Sequence, residues 1–263
     1  MTPDPGSKPV RVRREPPPFR VASVRRVERL TARMLRVTLA GPELEGFTVP
    51  EPAASVRLLL PPPGADELVL PTWNGNEFLL ADGQRPTIRT FTPRRADPRA
   101  GELDVEIVVH GQGAASGWAE AAAPASPAAV SGPGRGYAID PAAPEFLLAG
   151  DETAIPAMSQ LLGALPPDRP VRVLAEVADP GARLPFPDHP HAIVEWCDLP
   201  PGAPPGDALV TAIRAQALGE GTRVWAAGEA AAVQRIRRLL FQDRGLPRSQ
   251  ASVRGYWKHG RAG

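Results

Sequence analysis

Arg85-Pro86-Thr87-Ile88-Arg89-Thr90-Phe91-Thr92-Pro93-Arg94-Arg95 is the segment from which the rest of the chain is read. Pro86 and Pro93 disfavour helix around them, and three of the four residues Arg89, Thr90, Phe91 and Thr92 are β-branched or aromatic, so an extended strand is expected. Side chains alternate along a strand, placing Arg89 and Phe91 on one face and Thr90 and Thr92 on the other. A guanidinium fixed beside an aromatic plane suits a ligand with a phosphate at one end and a flat ring at the other. A flavin dinucleotide has that shape and charge.

Working outward on the N-terminal side, residues 1–18 hold Pro3, Pro5, Pro9, Pro16, Pro17 and Pro18 and read as a disordered or extended tail. From Phe19 the texture changes to short β-prone runs at 19–30, 34–40, 55–60 and 103–110, punctuated by Gly and Pro. This pattern predicts a small antiparallel β-barrel over residues 19–132, within a domain reaching to about residue 140. Asn74-Gly75, inside residues 71–76, predicts a hairpin or surface loop. After the strand ending at His110, the run Gly111-Gln112-Gly113-Ala114-Ala115-Ser116-Gly117-Trp118 leads into a helix over 114–122. Glycines before a helix leave backbone N–H groups free, and the helix dipole adds positive potential, so the turn reads as an anion site or as a glycine turn with an N-capping serine.

On the C-terminal side the rhythm becomes strand, helix, strand. Apolar runs at 145–149, 171–177, 192–197 and 224–227 read as strands, with helices to residue 164, over 207–218 and over 229–243, and a last strand at 251–254. The alternation predicts a doubly wound parallel α/β nucleotide-binding domain over 141–263, with ligands at the carboxyl ends of its strands. Glu176, at the end of the second of these strands, is placed either to accept from a ribose 2′-hydroxyl, favouring NADH over NADPH, or to be solvated. Asp151 and Glu152 stand in the first strand-to-helix turn, where carboxylates beside a pyrophosphate cost electrostatic energy unless they point away. Asp151 or Thr153 equally suits a helix cap, a role that contributes ~1 kcal/mol.

Composition narrows the function classes. With 263 residues the chain is long enough for two domains of about 150 residues. A net charge of +1 argues against nucleic-acid binding, and all but Lys8 and Lys258 of the 30 basic residues are arginines. No apolar window approaches the ~18–20 residues of a membrane span and the N-terminus lacks a signal-like apolar core, so the expected location is cytoplasmic, without a membrane partner. Cys197 is the only cysteine, and His110, His189, His191 and His259 lack zinc or haem spacing, so no metal site is expected. Cys197 itself, beside Trp196, reads as a buried small residue.

The tetrapeptide Arg89-Thr90-Phe91-Thr92 resembles the Arg-x-aromatic-Ser/Thr signature of ferredoxin-reductase-like flavoproteins. Gly113 to Ser116 is similar to the second flavin-phosphate motif of that superfamily. Three further segments narrow the likeness. Gly150-Asp151-Glu152-Thr153-Ala154-Ile155-Pro156-Ala157, Val224-Trp225-Ala226-Ala227-Gly228-Glu229-Ala230 and Gly255-Tyr256-Trp257-Lys258-His259-Gly260 resemble, in order, the motifs of the siderophore-interacting flavoproteins. The likeness spans roughly residues 19–261.

The resemblance implies FAD as cofactor, held by Arg89 at the pyrophosphate, Phe91 stacked on the ring, Thr92 near its reactive nitrogen, and Thr90, His110, Gly113, Ala114 and Ser116 around it. Phenylalanine where the family usually has tyrosine keeps the stacking plane and loses one hydrogen bond, typically worth ~0.5–1.5 kcal/mol. It also implies NADH or NADPH as donor, at Gly150, Asp151, Thr153, Ala154, Glu176, Gly228 and Glu229, and a ferric siderophore as substrate. Tyr256, Trp257, Lys258, His259 and Arg261 are the expected substrate contacts, the last three attracting an anionic chelate. Ferredoxin is an alternative donor, and a monomer is expected. A different NAD(P)H-flavin oxidoreductase, or a non-catalytic flavin- or siderophore-binding module, is the alternative activity.

Overall fold

The computed structural model describes residues 15–62, 64–65, 67–111 and 113–260. The tail predicted over 1–18 falls mostly outside them, as do Gln112 and Arg261. Glu15 to Phe19 has no regular structure, but the Ser131 hydroxyl donates to the Pro17 carbonyl at 2.5 Å, so this end of the tail is tied to the fold rather than free.

The first half builds a seven-stranded antiparallel sheet. Its strands are β1 (Arg20–Thr31), β2 (Met34–Ala40), β3 (Val56–Leu60), β6 (Thr87–Phe91), β7 (Pro93–Asp97), β8 (Glu102–Val108) and β9 (Pro127–Ser131). Between β3 and β6 a separate hairpin pairs β4 (Thr72–Trp73) with β5 (Phe78–Leu79), and its turn forms because Asn74 Oδ1 accepts from the N–H groups of Asn76 and Glu77. The sheet order is β6-β3-β9-β1-β2-β8-β7. β6 and β7 thus lie at opposite ends of the order although only Thr92 separates them in the chain, so the sheet curls until its two edges meet at Thr92. The structure is barrel-like, but no ladder pairs β6 with β7, so the hydrogen bonding of the expected barrel does not close. Inward residues Val24, Val37, Leu39, Leu58, Leu60, Val105 and Ile107 form its core, and helix α1 (Ala114–Ala121) packs Ala119 and Trp118 onto it.

The second half is a five-stranded parallel sheet in the order β12-β11-β10-β13-β14. Its strands are β10 (Phe146–Gly150), β11 (Val171–Val177), β12 (Ala192–Asp198), β13 (Arg223–Glu229) and β14 (Ala251–Trp257). Parallel strands buried on both faces read as continuous apolar runs, which is why β10, β11 and β13 were legible as strands. Alternate residues divide between the faces. Phe146, Leu148, Val173 and Trp225 pack with helix α2 (Ile155–Ala164), whereas Leu147, Leu174, Val224 and Ala226 pack with α3 (Asp207–Ala215) and α4 (Ala230–Arg238). This is the doubly wound arrangement expected, and its central strands point their carboxyl ends at the antiparallel sheet.

Candidate functional site

Arg89 sits on β6, opposite Leu58 of β3, and its guanidinium donates only to the Ile88 carbonyl, at 2.9 Å. Several other partly buried arginines meet a carboxylate, as Arg36 does Glu106 at 2.6 Å and Arg223 does Asp140 at 2.6 Å. Arg89 has no such partner among the described residues, and burial pushes its pKa down. A half-buried cation without a counter-charge is a seat for an anion. Phe91, two residues on, is half-buried against the barrel core, Thr90 is exposed, and Thr92 is buried where β6 gives way to β7.

The second anion-ready feature is the start of α1. Gly113 takes φ +85°, a conformation open to glycine, and among the described residues no side chain caps the helix. Its first N–H groups are left for a ligand. Ser116, expected to touch phosphate, is buried, and its hydroxyl oxygen accepts from the His110 backbone N–H at 3.1 Å. It therefore closes the loop, and the exposed elements at this turn are His110 and Gly113, with Ala114 half-buried. Together the free guanidinium, the half-buried Phe91 and the uncapped helix fit FAD.

The carboxyl ends of the parallel strands are different in kind. Asp151 is buried and accepts four hydrogen bonds: from Thr153 N–H and hydroxyl at 3.0 and 2.5 Å, Glu229 N–H at 2.8 Å and the Trp257 indole at 2.8 Å. Burial pushes its pKa up against these donors. Gly228, φ +151°, has to be glycine, because a Cβ there would stand 2.5 Å from Asp151 Oδ2. Glu229 Oε2 accepts from Ala231 and Ala232 at 2.6 and 2.9 Å, capping α4, while Oε1 takes His259 N–H at 3.2 Å. Burial works against the ionised Glu229, but backbone donors from Ala232, His259 and Ala231 carry its pKa below the usual carboxylate value.

Glu176 departs furthest from expectation. Its side chain does not present a strand end to solvent or to a ribose: it is buried, and accepts from Gly206 N–H at 2.6 Å and Leu209 N–H at 2.9 Å. Both oxygens serve the N-terminus of α3, because the turn before that helix folds back over β11. Asp151 and Glu229, expected near the nicotinamide nucleotide, likewise have their oxygens committed to this chain's own N–H groups. Gly150 and Ala154, from the same expected set, are buried in the turn from β10 into α2, where an added Cβ on Gly150 would overlap Ala154.

The two halves meet at Thr92. The Tyr256 phenol, on β14, lies beside the Thr92 hydroxyl; burial pushes its pKa up and the Thr92 contact works the other way. Its ring also makes an edge contact with Trp225, centroids 6.3 Å apart. Trp257 is held by Asp151 and stands edge-on to His259 at 6.1 Å, while Lys258 and His259 are exposed. Two further links were not anticipated. Gln160 of α2 donates to the Pro93 carbonyl at 2.6 Å and accepts from Ala53 N–H at 2.9 Å, and the Arg33 guanidinium reaches the Glu152 carboxylate at 2.9 Å. A polar Gln160 between Ser159 and Leu161 in an apolar helix was the available signal for the first. Among the described residues no group of three or more His, Cys, Asp or Glu side chains is arranged to hold a metal ion.

Comparison with known proteins agrees with this geometry. Residues 23–137 match the family model of the siderophore-interacting FAD-binding domain, and residues 143–260 that of the siderophore-interacting protein. An uncharacterised protein of Mycobacterium tuberculosis is 36% identical over 93% of this chain and 92% of its own length. The ferric vibriobactin reductase ViuB of Vibrio cholerae is 29% identical over 87% of this chain and 85% of its own. The crystal structure of a siderophore utilization protein from T. fusca superposes with a TM-score of 0.82 at 36% identity, covering 94% of this chain and 96% of that one. With an FAD-binding antiparallel sheet joined at Thr92 to a doubly wound parallel domain, this chain belongs to the siderophore-interacting protein family.

Proposed function

We propose that the chain is a cytoplasmic ferric-siderophore reductase, taking electrons from NADH or NADPH by way of FAD and passing them one at a time to siderophore-bound Fe(III). The observation that carries this reading is the seat at the seam: an unpartnered Arg89, Phe91 and the open α1 terminus on one side, and Tyr256 reaching Thr92 from the other. FAD bound there would accept a hydride and release single electrons, the conversion needed between a nicotinamide and a ferric ion. Arg89 would neutralise phosphate and Phe91 offer a stacking plane. The half-buried Tyr256 and Trp257 would help exclude water from the seam. Lys258 and His259, exposed at its mouth, would draw an anionic chelate. Hard oxygen donors hold Fe(III) far better than Fe(II), so one electron loosens the chelate and frees iron. The ViuB likeness supports the acceptor class, and a monomer is in keeping with a site built from one chain.

Anaerobic stopped-flow absorbance tests it. The FAD-loaded protein, mixed with NADH or NADPH, is expected to bleach near 450 nm and to regain colour with a ferric siderophore. Bleaching without recovery across hydroxamate and catecholate chelates would move the activity to another acceptor. Bleaching only with reduced ferredoxin would change the donor.

A further inference from the structure

Doubly wound domains hold dinucleotides by setting the pyrophosphate on free N–H groups where a strand turns into a helix. In this chain several of those groups are already taken. After β10, Asp151 accepts from Thr153 N–H; after β13, Glu229 accepts from Ala231 and Ala232; and Glu176 on β11 accepts from Gly206 and Leu209 at the head of α3. Ala178 N–H, just beyond β11, is bonded to Glu152 at 2.8 Å. The same carboxylates put negative charge along the rim where two phosphate charges would have to lie. Space is denied as well, since Asp151 Oδ2 fills the position a Gly228 Cβ would need. Of the cations nearby, Arg33 is committed to Glu152, and Lys258 stands at the β14 end of the rim.

We infer that this chain does not hold the pyrophosphate or the adenosine of its donor, and is reduced by any dihydronicotinamide whose ring reaches the seam beside Thr92 and Tyr256. The inference rests on the reductase reading. In each case one hydride passes from C4 of the donor to bound FAD with one proton from solvent, leaving the oxidised pyridinium. Two ferric chelates then remove one electron each, and two protons return to solvent.

The test compares NADH, NADPH, reduced nicotinamide mononucleotide and 1-benzyl-1,4-dihydronicotinamide as donors to the FAD-loaded full-length protein, followed anaerobically at 450 nm. The mononucleotide is expected to match NADH in second-order rate constant within about threefold, and millimolar ADP-ribose to leave NADH oxidation unchanged. A dinucleotide advantage of about thirtyfold or more, competition by ADP-ribose, or no bleaching with any of these donors overturns the inference. Dithionite-reduced protein mixed with a ferric siderophore tests the reductase reading by itself. Recovery of colour there, with the donor comparison failing, breaks only the inference; no recovery breaks the reading beneath it.

Discussion

The two halves of this molecule treat helix N-termini in opposite ways. In the antiparallel half, α1 begins at Gly113 with no described side chain capping it, five residues after β8 ends at Val108. In the parallel half, the turn before α2 and the starts of α3 and α4 are each closed by a buried carboxylate, Asp151, Glu176 and Glu229. Arg89 in the first half stands without a counter-charge, whereas Arg33 is spent on Glu152 of the second. The fold alone would suggest two nucleotide sites, but the side chains provide one. Anion affinity is concentrated on the FAD side, and the parallel domain supplies Tyr256, Trp257 and a rigid wall.

The largest effect is expected where that division is sharpest. Arg89→Ala removes the only unpartnered guanidinium of the flavin seat, and a hydrogen bond to a charged group contributes about 1.5–3 kcal/mol, so FAD affinity should fall roughly 10- to 150-fold. Flavin-to-protein absorbance after gel filtration, with a fluorescence titration of the apoprotein, measures it. Folding should be untouched, because Arg89 donates to nothing but its neighbour's carbonyl. Full flavin retention in the variant would mean that the α1 terminus alone holds the phosphates.

A smaller effect tests the closed side. Glu176→Ala strips acceptors from two buried N–H groups, and each unmade bond of this kind costs about 1–3 kcal/mol, so thermal unfolding should shift down by several degrees with FAD affinity unchanged. Glu176→Gln keeps the shape and exposes the charge effect. Burial, with Asp151 adding to it, raises the Glu176 pKa above its ordinary 4.5, in spite of the Leu209 and Gly206 donors. The folded state therefore binds this proton more tightly than the unfolded chain does. Wild-type stability from this group is greatest below pH 4.5 and declines as pH rises through the raised value. The gap in melting temperature between wild type and Glu176→Gln should narrow from pH 4 upward, and a gap that widens would show the cap to be favoured in its ionised form.

How much of this was legible beforehand follows from what kind of signal each feature leaves. Alternation and apolar runs marked β2 (Met34–Ala40) and β11 (Val171–Val177) to the residue. By contrast β7, Pro93-Arg94-Arg95-Ala96-Asp97, has hardly an apolar residue, because its side chains pair with carboxylates of β8, Arg95 with Asp104 at 3.0 Å. Tertiary charge pairing leaves no periodic trace. The proposed flavin seat has a local signal, because Arg89, Phe91 and Thr92 are near neighbours in sequence. The fate of Glu176 could not, since its partners Gly206 and Leu209 lie some thirty residues away across a helix-strand crossing. Local motifs give residue types, but whether a carboxylate faces a ligand or its own backbone depends on distant turns.

The least of the expected effects concerns Cys197, which reports the field of the closed side directly. Burial, then Glu195, Glu176 and Asp198, push its thiol up to about 12. At pH 8 about one molecule in ten thousand carries the reactive thiolate, so iodoacetamide should leave the native protein unlabelled and modify it freely in urea. Glu176→Gln takes away one of those charges and none of the shape, so labelling should quicken slightly. If native Cys197 instead reacts as fast as a free thiol, the β12 edge opens in solution. The carboxylates near it would then be hydrated, and the rim that closes the parallel domain to phosphate would lose its strongest physical support.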